Sequence, residues 1–259
     1  SITLSGNGNI GSAYNTVDVT YTDFDEANRP FQIVTRNEYE DKILSSYDVS
    51  FNYRKSFTKK DRLFTIDAQY SKNRDDEESI IVQNNSNDNL DNTYTSVYNF
   101  EGSKNILLQT DYIHPFENKG KLEMGYRGNY KSIDDDYAVS LMNKSINRFE
   151  VIPGYKNLLL YYENISAGYV MYGQKINKFS YQLGLRAEYS DVTTELVASN
   201  EINKRNYLNF FPSTHLSYQV LGENAIQVSY SRRIKRPQHW WLLPFYSISD
   251  LRNNFYGNP

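Results

Sequence analysis

Residues 178–190 read KFSYQLGLRAEYS, and no other stretch limits the possible folds as tightly. Phe179, Tyr181, Leu183, Leu185, Ala187 and Tyr189 alternate with Ser180, Gln182, Gly184, Arg186, Glu188 and Ser190. A period of two sends successive side chains to opposite faces of a β-strand. One face is therefore apolar along its whole length, and the other holds both charges. The pattern recurs. Tyr47, Val49, Phe51 and Tyr53 alternate with Asp48, Ser50, Asn52 and Arg54, and Phe64, Ile66, Ala68 and Tyr70 with Thr65, Asp67, Gln69 and Ser71. Leu122, Met124, Tyr126 and Tyr130 interleave with Glu123, Arg127, Asn129 and Lys131. Further strands are expected over 10–24 (with Val17, Val19 and Tyr21 on one face), 106–112, 165–171 (Ile165, Ala167, Tyr169, Met171), 208–220 and from 226 onward.

About nine strands result, joined by connections that alternate between short and long. Short turns fall at 57–61, 115–120, 173–178 and 221–224. Long polar segments fall at 25–45, 72–105, 132–157 and 191–206. A β-barrel of the outer membrane has short periplasmic turns and long extracellular loops, whereas a soluble sandwich has no reason to sort loop length by end. Segment 25–45 can continue its strand beyond the membrane. Several strands exceed the roughly 9–11 residues needed to span and are expected to extend above it. An arginine or lysine facing lipid at mid-membrane costs about 2–4 kcal/mol. The charges confined to one face must then look into a watery lumen. The fold class expected is all-β: an antiparallel transmembrane barrel, or an incomplete segment of about nine or ten strands spanning residues 1–259.

Composition agrees once the strand geometry is granted. No run approaches the 18 apolar residues of a helical span, and the mean hydropathy is −0.69. A barrel tolerates such a value because only alternate residues face lipid. The 24 tyrosines and 13 phenylalanines suit the membrane–water boundary, where the ring is buried and the hydroxyl stays wet. The absence of cysteine excludes a disulfide scaffold and thiol chemistry. A net charge of −3 argues against a nucleic-acid partner. The first residues, Ser1-Ile2-Thr3-Leu4, have neither the basic start nor the apolar core of a secretory signal.

The candidate site residues lie on the polar parity. Arg127, Arg186 and Glu188 face the lumen, and Arg233 and Lys235 share the parity of Gln227, Ser229 and Ser231. These five are the candidates for contact with a ligand. Tyr181, Tyr189, Tyr218, Tyr230, Trp240 and Trp241 are candidates for the membrane interface. His114, His215 and His239 are scattered over three segments, so solvated or lumen histidines outweigh a zinc site. The acidic runs 75–78 and 134–136 lack Ca²⁺-loop spacing and read as solvated. Asp111 and Glu123 read as lumen ion-pair partners of Arg127, Arg186 or Arg54 instead of a hydrolytic pair. No nucleophile elbow, phosphate loop or dinucleotide fingerprint is present. No enzyme activity, metal or cofactor is expected.

The stretches 108–130 (LQTDYIHPFENKGKLEMGYRGNY), 178–190, 207–220 (YLNFFPSTHLSYQV) and 228–245 (VSYSRRIKRPQHWWLLPF), with the closing Gly257-Asn258-Pro259, resemble the barrel of TonB-dependent outer-membrane receptors of the large group found in Bacteroidota. The family's Asn-Pro-Phe is replaced by Leu243-Pro244-Phe245, and Pro259 falls inside the family's final motif. The resemblance implies a larger barrel filled by a plug domain. It also implies import of a scarce nutrient (siderophore, vitamin, glycan or peptide) powered through TonB. The lumen candidates would then face ligand or plug. Lipid, lipopolysaccharide and a surface lipoprotein are the other partners it implies. The chain is expected to be a piece of such a receptor; a small closed barrel, a passive porin and a soluble carbohydrate-binding module are the alternatives.

Overall fold

The computed structural model describes residues 1–86, 92–117, 119–222, 224–236, 241, 247–250 and 253–255. Nine strands form one antiparallel meander in sequence order. They are β1 (Ile2–Phe24), β2 (Pro30–Ser56), β3 (Leu63–Asn85), β4 (Thr93–Pro115), β5 (Gly120–Asn143), β6 (Arg148–Ile176), β7 (Phe179–Leu196), β8 (Glu201–Gln219) and β9 (Ala225–Ser231). A separate two-stranded pair joins β10 (Ser247–Asp250) to β11 (Asn253–Phe255). Among the described residues β1 pairs only with β2, and β9 only with β8. The sheet is an open arc of barrel wall.

The strands are long because the polar segments read from sequence as loops are themselves strand. β3 runs unbroken from Leu63 to Asn85 and β4 resumes at Thr93, so most of 72–105 is a tall hairpin. Segments 132–157 and 191–206 are absorbed in the same way, and most of 25–45 continues as strand, as its sequence allowed. The connections run from two residues (177–178) to seven (86–92), and the expected short–long alternation of loops is absent. Backbone pairing explains it: each neighbour satisfies the strand's amides and carbonyls, so side-chain polarity alone does not end a strand. Asn28, Asp61, Lys119, Asn147, Asn177, Asn200 and Gly222 turn seven of the hairpins at positive φ. Asparagine and glycine are the residues best able to adopt it.

Strands of 23 residues or more reach about 75 Å at ~3.3 Å per residue. Even when tilted by roughly 40°, that is about twice the apolar band of an outer-membrane barrel. Register shows how the surplus height is managed. In the lower part, next to turns 57–62, 116–119, 177–178 and 220–224, one face is an exposed apolar belt. Phe51, Ala68, Leu108 and Gly128 form one of its rows, and Leu185 and Val170 meet in another. In the upper part the apolar side changes. Val34, Ile81, Ile133, Val139, Leu159 and Leu196 are buried on the opposite, inner face, whereas Arg74, Asp76, Glu78, Asp134 and Asp136 lie on the outer one. The hydrophobic face follows the solvent: outward where lipid surrounds the wall, inward where water does.

This inversion corrects two readings. Val17, Val19 and Tyr21 lie opposite Glu38, Arg36 and Val34, so they belong to the inner face of the upper sheet, and β1 begins well before them at Ile2. On β6, Ala167 and Tyr169 lie opposite Glu188 and Arg186, which makes them inner residues. The outward residues there are Ser166, Gly168, Val170 and Tyr172. The upper core gathers Tyr137, Val139, Leu159 and Leu196, with Val97, Ile152 and Tyr155 packed against them. Ile152 and Tyr155 come from an irregularity in β6, where residues 152–155 loop out between the pairs Ser140↔Val151 and Ala138↔Lys156. Gly154 permits it with φ of 86°.

Candidate functional site: the inner wall

The most connected group on the inner wall is centred on Glu188, whose side chain is 6% exposed. Arg186 lies two residues away on the same face and donates from Nε (3.1 Å) and Nη2 (2.8 Å) to Oε2. Arg236 donates from Nη2 to Oε1 of Glu188, and over 3.0 Å to Oγ of the buried Ser190. The small side chain of Ala167, opposite Glu188, leaves room for this assembly. A buried carboxylate is stable there because two guanidinium groups compensate its lost hydration.

Arg236 was not singled out by parity, and the reason is local. Pairing with β8 ends at Ser213↔Ser231, after which the chain is no longer a strand, so alternation does not extend to Arg233 and Lys235. Both are exposed, and Lys235 lies 5.8 Å from the ring centroid of Trp241. Arg232 donates its backbone amide to the carbonyl of Pro212 and faces the Phe211 ring at 6.0 Å. Residues 232–236 thus leave β9 and turn back over β8 to β7. We expect Arg236→Ala to release this segment, detected as faster proteolysis after Arg232 with the barrel's heat-modifiable mobility unchanged. Arg233→Ala serves as the control that leaves proteolysis unaltered.

A second inner-face group lies lower. Tyr169 donates its hydroxyl to Oδ1 of Asp111, whose Oδ2 accepts from Gln109 Nε2 at 2.8 Å. Asp111, Gly125 and Tyr169 occupy one row across β4, β5 and β6, so the tyrosine ring spans the glycine. A Cβ on Gly125 would come within 2.5 Å of the Thr110 carbonyl and 2.6 Å of Tyr169 Cε1. Gly125→Ala is expected to cost about 1–3 kcal/mol, measured by urea unfolding from lipid vesicles. Among the described residues the expected ion pairs of Asp111 and Glu123 with arginine are not formed: Glu123 bonds Lys121 at 2.5 Å, and Arg186 is taken by Glu188. Arg127 is exposed on the inner face, opposite Gln109 and Ala167.

The upper inner face carries further pairs. Arg36 is 4% exposed and bonds Glu38 at 2.8 Å. Lys42 meets Asp75 at 2.9 Å and Glu77 at 3.1 Å. Burial works against the charge on Lys42, but its bonds to Asp75 and Glu77 outweigh this and hold its pKa above the usual value. Burial, with the carboxylate of Glu163 beside it, raises the pKa of the Tyr161 phenol well above its ordinary range.

On the outer face, ring contacts link strands along the lower edge of the apolar belt. Phe57 meets Tyr112 (6.4 Å between centroids), Tyr112 meets His114 (6.1 Å), and His114 meets Phe116 (4.8 Å). Phe116 then meets Tyr172, and Tyr172 meets Tyr181, each at 6.1 Å. Arg62 stacks on Phe57 at 4.4 Å. Tyr181 belongs to this row, and Tyr218 lies opposite Phe179 at the same edge. Tyr189 is at the upper end of the β7 apolar row, and Tyr230 lies exposed opposite Thr214. Trp241 is exposed; Trp240 and His239 lie outside the described residues. The sequence reading missed Phe57, Tyr112, Phe116 and Tyr172 as a connected row, because their contacts cross strands. His215 lies on the inner face between Gln182 and Ser229. Among the described residues no three potential metal ligands cluster.

A sheet with an apolar outer belt, an aromatic edge and a charged inner wall defines a segment of an outer-membrane β-barrel. The family model for the outer membrane protein beta-barrel family matches residues 55–259, and the chain belongs to that family. No curated protein matches it by sequence. Among solved structures it is similar to the ferric citrate transporter FecA in its unliganded form. Identity is 9%, with 84% of this chain and 42% of that one covered and a TM-score of 0.38. It is also similar to the siderophore receptor PiuA from Acinetobacter baumannii (9%, 89% and 47%, TM-score 0.40). The ferric yersiniabactin uptake receptor FyuA from Yersinia pestis gives 8%, 83% and 40%, with a TM-score of 0.34. The chain spans less than half the length of each.

Proposed function

We propose that this chain forms part of the wall of a TonB-dependent import receptor of the Bacteroidota type, carrying a scarce nutrient across the outer membrane. The observation that supports it most is the inner wall at membrane level. Arg186 and Arg236 bond Glu188 there, Tyr169 bonds Asp111 in a second group, and Arg127 remains exposed nearby. A wall of fixed donors and acceptors suits contact with a folded plug and a passing polar ligand, as the receptor motifs in residues 108–130, 178–190, 207–220 and 228–245 also imply. The plug, TonB and a surface lipoprotein are the partners this reading requires, and it assigns the chain no catalytic step.

The test is uptake by cells producing the full-length receptor as their sole route for a candidate nutrient. Import should stop on adding a protonophore and on deleting TonB. Uptake that persists without TonB would instead support a passive pore, which would also conduct ions steadily in planar bilayers.

A further inference from the structure

Just above the lipid-facing belt, the outer face carries two lysines where a strand pair would normally avoid them. Lys72 on β3 and Lys104 on β4 are direct cross-strand partners, and Ser132 on β5 is next in the same row. Like charges directly opposite each other destabilise a sheet. Neither ammonium makes an ion pair among the described residues. The row beneath, Tyr70, Ile106 and Tyr130, is the last of the exposed apolar belt on these strands. The row above is Arg74, Gly102 and Asp134.

These rows flank an open cavity of about 190 Å³ whose lining includes Lys72, Arg74, Phe100, Lys104 and Ser132 together with the carboxylate-bearing Asp134. Gly102 leaves room for the Phe100 ring that lies over it. A Cβ there would come within 3.2 Å of the Phe100 ring, on which Arg74 stacks at 5.1 Å. Arg74 also bonds Asp76 at 2.5 Å, so that carboxylate is already compensated. The order outward from the membrane is therefore ring and aliphatic, then ammonium and hydroxyl. A lipid presents its groups in the same order, acyl chain and then phosphate.

We propose that Lys72, Lys104 and Ser132 form a binding site for the phosphate of an outer-leaflet lipid headgroup, with Phe100 and Gly102 shaping the cavity. A phosphate between the two ammonium groups turns their repulsion into a pair of charge-assisted bonds. Each lysine at such a surface adds appreciable attraction to an anionic lipid. The tall end of the wall lies outside the cell in barrels of this class, which places the site at the outer leaflet. The inference depends on the membrane location alone and stands whether or not the receptor imports anything.

Native mass spectrometry of the full-length protein in detergent, titrated with bisphosphorylated lipid A, tests it. The wild type should bind this lipid about tenfold or more tightly than its dephosphorylated form. The double variant Lys72→Gln/Lys104→Gln should lose that preference. Lys59→Gln/Lys60→Gln, in the opposite turn, should keep it. Equal binding of the two lipids by the wild type, which needs no variant to fold, would overturn the proposal. So would a folded double variant that still prefers the phosphorylated lipid, or displacement of lipid A by millimolar inorganic phosphate, which would mark a site for the free anion.

Discussion

Leu185→Lys is expected to destabilise the barrel by about 2–4 kcal/mol, the cost of a cation facing hydrocarbon near mid-membrane. Leu185 is 47% exposed in the wall itself and lies between Val170 and Pro212 in the outward row. That exposure would be harmless for a lysine in water, so the size of the effect reports the solvent on this face. The comparison is Gln69→Lys, on the inner face between Ser50 and Leu107, where the ammonium meets the lumen. The measurement is unfolding free energy in lipid vesicles. Equal costs for the two variants would remove the assignment of the two faces.

Leu159→Ala should cost about 2–5 kcal/mol, as for a fully buried leucine elsewhere, but the loss should be local. Leu159 has no exposure, lies opposite Leu196 and belongs to the core above the membrane. Its removal opens a void beneath the 152–155 irregularity, where the strands are stabilised by water-excluded packing and not by lipid. The expected result is rapid tryptic cleavage in the upper hairpins, while the apolar belt stays protected and keeps its heat-modifiable mobility. Global loss of folding would show that the upper sheet and the belt are one cooperative unit.

The two variants rest on opposite rules for the same residue type. An exposed leucine at 185 and a buried one at 159 are each apolar because water is absent, in one case replaced by lipid and in the other by protein. Sequence alternation reports a period without saying which face is which. It was readable at 179–189, where charge on the alternate residues settled the matter. It misled at Val17, Val19 and Tyr21 and at Ala167 and Tyr169, where only register against Arg36 and Glu188 fixes the side.

By itself the sequence determined the all-β class, the lower strands with their lipid-facing parity and most of their turns, and the inward placement of Arg186 and Glu188. These follow from interactions between neighbours along one strand, which a period of two records. The tertiary structure decided the rest. It turned the supposed loops into strand, because backbone pairing is satisfied by a neighbouring strand whatever the side chains. It showed where the apolar face inverts, because burial depends on what surrounds each level of the wall. It also brought Arg236 to Glu188, 48 residues earlier in the chain. A carboxylate removed from water needs a compensating cation, and the fold alone selects which one arrives.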